Sequence, residues 1–396
     1  MDYEECSERL WNLNYTKVWL GNFMIFFSFM LLIPLLPIYL KERFDASNDV
    51  IGSVLSGYVV MALVARLFCG YVVDSFPRKK VLVISFAIFA LFFAGYIFAG
   101  SLLFFFIVRT LHGVPFGFVT VSNSTVAIDV LYPKRRSEGI GYYGLSNNIA
   151  TAISPTVALW IYHSSQNYNL IFAIALLVAI LGLIICSTVK IPQKEIVTDK
   201  QPISLDRCFL LPSWPIALSM LFLSFSYGVV STYVAIYGQE QLGIAEGAGF
   251  FFALLATGLA ISRLMGSRSL REGKVTHNAS IGCIISLFGY LMFAAGENEF
   301  CYFGSAFIIG IGNGHMFPAF QTMFINLASN TQRGTANSSL LVSWDIGVGL
   351  GILIGGVVSN HFGYTEAFWH AWVGNLAGVL IFILFAKKYF DKHKLR

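Results

Sequence analysis

The sequence predicts an all-α membrane protein: twelve transmembrane helices arranged as two six-helix halves that repeat one plan in parallel. Three observations predict it. The 396 residues are 56% hydrophobic and only 12% charged, with a mean hydropathy of +0.70, whereas about a quarter of an ordinary soluble domain is charged. Twelve apolar windows run along the chain, each long enough for a bilayer that takes about 20 residues per helix. Sliding the chain on itself by 197 positions places Arg66 on Arg263 and Arg136 on Arg333. Together these exclude soluble multidomain, collagen-like, disordered and disulfide-scaffold proteins.

The windows cover 18–40, 50–73, 81–99, 102–128, 139–162, 168–189, 214–238, 247–265, 279–296, 301–327, 335–359 and 366–386. Four acids precede the first window, and no small-residue cleavage site follows it, so it reads as a retained span and not a signal peptide. The longest windows need tilt or protruding ends. Ten-residue units of alternating polarity, the mark of a membrane barrel, are absent from the sequence. The six cysteines have no paired spacing, and Cys69, Cys186 and Cys283 fall inside apolar runs, where a thiol acts as a small hydrophobe. Neither a disulfide framework nor a metal site is expected, and no cofactor.

Charge placement sets orientation. Of 26 Lys and Arg residues, 21 lie on the side of the N-terminus, Lys41 and Arg43 lie on the other, and Arg66, Arg109 and Arg263 lie within spans. Basic residues collect on the cytoplasmic side, so both termini are expected there, in a bacterial inner membrane. Residues 190–213 are the longest polar interruption and contain the midpoint, which divides the chain into a half at 1–189, a cytoplasmic linker and a half at 214–396. Parallel repeats of this kind place substrate near the midplane between halves.

Asp345 is the one acid deep in a window; it lies twelve residues beyond Arg333, about 18 Å along a helix. An ionisable group at that depth is costly unless paired or protonated. It serves either as a proton-coupling group or as a fixed ion pair with Arg66 or Arg263. In the fourth span Arg109, His112, Phe116, Thr120 and Asn123 recur at helical spacing and share a face. The seventh span repeats the pattern with Ser219, Ser226, Tyr233 and Tyr237, and the 197-residue shift maps Asn22, Phe26, Phe29 and Leu36 onto 219, 223, 226 and 233. Mapping the fourth span on the tenth nominates Asn313, Phe317 and Phe320, with His315 on another face. The substrate-binding set is therefore Asn22, Phe26, His112, Phe116, Asn123, Ser226, Tyr233, Asn313 and Phe317. Interhelical hydrogen bonding would employ the same residue types. Gly139, Gly141 and Gly144, and Gly347, Gly349, Gly351, Gly355 and Gly356, suit either sliding or static close packing.

The stretch Gly70-Tyr-Val-Val-Asp74-Ser-Phe-Pro77-Arg78-Lys79-Lys80 resembles the G-x-x-x-D-x-x-x-R-K signature of the major facilitator superfamily. Arg109-x-x-x-Gly113-x-x-x-Gly117 is similar to its second signature, which that family associates with proton coupling. The Pro34-Leu-Leu-Pro37-Ile-Tyr39 segment and Arg333-Gly-Thr-Ala-Asn-Ser resemble bacterial members of the twelve-helix drug/proton antiporter branch. Pro77 stands where the first signature has glycine, and its echo keeps Gly266, Arg268, Arg271 and Lys274 but lacks the acid. The fifth span keeps Pro155 but has Ala150, Ser154 and Ala158 at usual glycine positions. The resemblance implies the major facilitator fold, a cavity lined by spans 1, 4, 7 and 10, and span 11 packed on span 2. That packing favours Arg66 as the partner of Asp345, and the second signature adds Arg109, so the proton-coupling candidates are Asp345, Arg109 and Arg66; the gating candidates are Gly70, Asp74, Arg78, Lys79 and Pro155.

The expected function is secondary active transport of a small amphiphilic or aromatic molecule by alternating access, with proton-coupled efflux preferred over proton-coupled import of a sugar, nucleoside, peptide or organic acid. A scaffold or membrane enzyme is the reading of a different class. The sequence has no His-Glu-x-x-His, Gly-x-Ser-x-Gly or Walker motif, so it is not expected to be an enzyme. Expected partners are a small-molecule substrate, protons and the lipid bilayer, without nucleic acid, and the chain is expected to act as a monomer.

Overall fold

A computed structural model describes residues 9–132, 136–191, 209–244, 247–271, 274–328 and 333–395. Among them the regular structure is entirely helical: α1 (Leu13–Met30), α2 (Leu36–Phe44), α3 (Asn48–Ser75), α4 (Arg78–Ile97), α5 (Leu102–Asp129), α6 (Arg136–Ser165), α7 (Tyr168–Ser187), α8 (Trp214–Glu240), α9 (Gly247–Arg271), α10 (Val275–Ala295), α11 (Glu299–Leu327), α12 (Arg333–Phe362), α13 (Tyr364–Ile381) and α14 (Lys387–His393). Among the described residues, eight segments are long and apolar enough to cross a membrane by length and composition alone. Their exteriors carry Leu103, Ile107, Leu181 and Phe288 at high exposure, where a soluble helix would present charge.

Local chemistry explains the boundaries. Side-chain oxygens of Asn12, Ser101, Asn167 and Asn298 accept from backbone N–H groups in the first turns of α1, α5, α7 and α11, which satisfies donors that a helix start leaves open. The window 18–40, expected as one helix, is two. Turns at 31–35 separate α1 from α2, because Pro34 has no N–H to donate and its ring opposes the carbonyl four residues earlier.

Contacts divide the chain into two compact units, Met1–Leu32 with Met61–Pro202, and Ile33–Val60 with Ile203–Arg396. Residues 33–60, which the repeat assigns to the first half, thus pack with the second. In the first unit α1 packs on α5, α6 and α7, and α4 on α5 and α7. In the second, α8 packs on α12 and α13, and α11 on α9 and α10. The α8–α12 contact is backbone on backbone. A Cβ at Gly228 would collide with the carbonyl of Val348, one at Gly347 with that of Leu221, and one at Gly351 with that of Phe225. Only glycine permits this approach.

Candidate functional site

The α4–α5 hairpin turns within Phe98–Ser101, so the aromatic residues of α4 lie beside the polar face of α5. His112 is fully buried there. Its Nδ1 lies 2.9 Å from the Tyr96 hydroxyl, and its ring is surrounded by those of Phe89, Phe92 and Phe93 at centroid distances of 4.8, 5.2 and 4.9 Å. One turn earlier, Arg109 Nη1 donates to the same hydroxyl at 3.4 Å. Tyr96 therefore ties two members of the predicted face to α4.

Beyond His112 the face becomes a stack. The Arg109 guanidinium lies 5.5 Å from the Phe29 ring. Phe29 stacks on Phe116 at 4.7 Å, and Arg66 lies 5.9 Å from the Phe116 ring. Phe26 meets Phe116 edge-on at 5.9 Å. Arg109 and Arg66 are 2% and 8% exposed, and faces of aromatic rings attract cations most strongly when both are dry. Arg66, Arg109, Phe26 and Phe116 are thus brought together on α3, α5 and α1.

Asn22 and Asn123 do something else. Asn22 Nδ2 donates to Ser146 Oγ at 2.7 Å, and the Tyr143 hydroxyl donates to Asn22 Oδ1 at 2.7 Å. Asn123 Nδ2 donates to the Tyr143 hydroxyl at 2.9 Å and to the Val18 carbonyl at 3.2 Å. Both amides are buried and join α1, α5 and α6, in the manner of interhelical hydrogen bonds. Tyr143 and Ser146 had no sequence signal beyond polarity in an apolar span.

In the second unit the α8 face is spent on its neighbours. Ser219 donates to the Gly378 carbonyl at 2.9 Å, Ser226 to Ala371 at 2.7 Å, and Tyr233 to Ile352 at 2.8 Å. On α11, Asn313 lies beside the Tyr290 hydroxyl, His315 pairs with Asn278, and Phe320 is fully buried. Phe317 meets Trp344 edge-on at 5.4 Å, and Trp344 lies 5.4 Å from Tyr227. Asp345 follows Trp344 in mid-α12, half-buried. Phe317 thus belongs to an aromatic cluster with Trp344 and Tyr227.

Of the gating candidates, Arg78 Nη1 donates to both carboxylate oxygens of Asp129, at 2.7 and 2.5 Å, which ties the start of α4 to the end of α5. Lys79 is exposed, and Pro155 is buried within α6. Gly70 and Asp74 lie on α3, and Arg263, Gly266, Arg268 and Arg271 on α9, with side chains outside the described residues.

A further seam was not foreseen. Lys41 Nζ lies 2.6 Å from Glu240 Oε1, and the Tyr364 hydroxyl reaches Glu240 Oε2 at 3.3 Å and Asn48 Oδ1 at 3.2 Å. Beside them α3 meets α12 at Gly52 and Gly356. A Cβ on Gly52 would fall 2.8 Å from the Ile352 carbonyl, and one on Gly356 would collide with that of Asn48. The α12 glycines therefore face two ways, Gly347 and Gly351 toward α8, Gly356 toward α3. Among the described residues, no group of three His, Cys, Asp or Glu side chains is placed to hold a metal ion.

The sequence matches the family profile described as Major Facilitator Superfamily over residues 18–328 and 279–396. It is 26% identical over 363 residues to the staphylopine export protein of Staphylococcus aureus strain Mu50, across 88% of each chain. It is 22% identical to the multi-drug resistance efflux pump PmrA of Streptococcus pneumoniae strain R6, across 92% of this chain and 93% of that one. It is 25% identical to the multidrug resistance protein MdtG of Escherichia coli O17:K52:H18, across 90% of each. Among solved structures, the peptide transporter POT with sulfate aligns with a TM-score of 0.79 at 13% identity, covering 96% of this chain and 95% of that one. The nucleoside transporter NupG aligns with a TM-score of 0.75 at 13% identity, covering 94% and 99%. At such identities these structures speak to fold alone.

Proposed function

The chain belongs to the major facilitator superfamily, and from that premise we propose that it is a proton-coupled exporter of a small aromatic or amphiphilic molecule, working by alternating access across a bacterial inner membrane. It crosses the bilayer twelve times, keeps both termini in the cytoplasm and acts as a monomer. Relatives matched along nearly their whole length are named for export or drug efflux, which supports the outward direction.

Asp345 carries the proton part of this reading. It is an acid in the middle of a 30-residue helix. A carboxyl group at membrane depth is stable when neutral or paired, so protonation and substrate binding compete for the same compensation. Arg66 and Arg109 set the positive field of the first unit, and Arg78 with Asp129 secures the α4 start. The test is flux in proteoliposomes under an imposed pH gradient. Asp345→Asn is expected to abolish gradient-driven accumulation and to leave substrate exchange intact. Unchanged dependence on the pH gradient overturns the role.

A further inference from the structure

We propose that a groove between α9 and α11 binds a phospholipid with an ammonium headgroup, of the phosphatidylethanolamine class, and that Glu299 is the partner of that ammonium. The proposal rests on these helices lying in a bilayer and is independent of what is transported. The two helices cross backbone to backbone: a Cβ on Gly258 would collide with the Phe307 carbonyl, and one on Gly310 with that of Leu255. A crossing this close holds the surfaces beside it at a fixed separation. Toward the start of α11 those surfaces enclose an open cavity of about 350 Å³, lined by Leu254, Glu299, Phe300, Phe303, Gly304 and Phe307.

The lining is ordered along the helix. Glu299, Phe303 and Phe307 recur every fourth residue on one face of α11, so about 12 Å of helix separates the carboxylate from the last ring. A charge at one end with rings and Leu254 behind it matches an amphiphile standing along α11. Phe300 is 78% exposed, and Phe250, which meets Phe303 edge-on at 5.1 Å, is 56% exposed, so the wall offers ring surface to acyl chains.

Charge chooses the head. Three connections meet at this end of the unit, where Thr365 donates to Glu297 and Tyr364 to Glu240. Their residues 239–246, 296–300 and 360–366 include Glu240, Glu246, Glu297, Glu299 and Glu366, and no Lys or Arg. Lys41 is paired with Glu240. An anionic head would meet charge of its own sign here, whereas an ammonium meets the exposed Glu299 carboxylate at the cavity itself.

The test is native mass spectrometry of the delipidated full-length protein in mild detergent, given equal amounts of dioleoyl phosphatidylethanolamine and dioleoyl phosphatidylglycerol. The two lipids share acyl chains and phosphate, so their ratio isolates the ammonium. A single-lipid complex enriched about threefold or more in the ethanolamine lipid is expected, the scale of an exposed ion pair. Glu299→Gln is expected to bring the ratio to parity, Glu299→Lys to invert it, and Leu254→Trp to lower retention of both lipids alike by filling the groove. Equal retention by the wild type, a ratio that survives Glu299→Gln, or retention unchanged in Leu254→Trp overturns the proposal. So does a dimer whose formation excludes lipid, because a second copy would then be the occupant. The wild-type ratio decides it if a variant does not fold.

Discussion

In the unit of residues 9–32 and 61–191, helices are joined by side chains: the Asn22–Tyr143–Asn123 amides, the Tyr96 hydroxyl and a stack of rings and guanidiniums. In the unit of residues 33–60 and 209–395, helices approach backbone to backbone at Gly228, Gly347, Gly351, Gly52 and Gly356. Side-chain contacts can be exchanged for contacts to a ligand, because a rotamer change releases them. A glycine seam offers no such exchange: it is either closed or parted. The first arrangement suits recognition and the second suits a rigid body with an edge that opens.

The most damaging change should therefore be in a seam. Gly351→Leu sets a side chain against the Phe225 carbonyl, and overpacking of this kind is expected to cost about 3 kcal/mol or more, read as a collapsed melting temperature and aggregation in detergent. If Gly351→Leu melts like the wild type, the contrast between the units fails. Asn22→Leu removes two buried hydrogen bonds, for which about 1–2 kcal/mol is expected from interhelical bonds in membranes. Stability should fall while the substrate KM for transport stays the same; a raised KM would return Asn22 to the binding site.

Smaller effects test the edge. Lys41 and Glu240 are 38% and 35% exposed in their side chains, so solvent screening holds their pairing to about 1 kcal/mol or less. Glu240→Gln is expected to raise impermeant-maleimide labelling of Cys placed at buried Ser56 by up to about fivefold, the population shift that energy allows. Labelling that does not change removes the pair from any latch. Ser226→Ala should be mildest, losing one bond to Ala371 worth about 0.6 kcal/mol, with transport unaltered.

The membrane class and the helical windows other than 18–40 were legible because burial in lipid demands long apolar runs. The face of α5 was legible for the same reason: a polar stripe must turn inward, and Arg109, His112, Phe116 and Asn123 are all 8% exposed or less. What each residue meets inside was not. Asn22 and Phe26 lie on adjacent turns of α1, yet one bonds to α6 and the other to the Phe116 ring. Helical periodicity gives a direction and says nothing about the neighbour found there. The break after α1 could have been read from Pro34, while the pairing of Lys41 with Glu240 joins residues too far apart for any spacing rule to reach.

That distance in sequence has a consequence for how the protein is made. Roughly 200 residues separate Lys41 from Glu240, and ribosomes add about 5–20 residues per second, so α2 and the start of α3 wait some 10–40 s for α8. Gly356 and Tyr364 arrive later still. Throughout that interval the bare glycine surface of α3 and a lone lysine stand without their eventual neighbours. Biogenesis, and not only the finished fold, must therefore tolerate an unfinished seam.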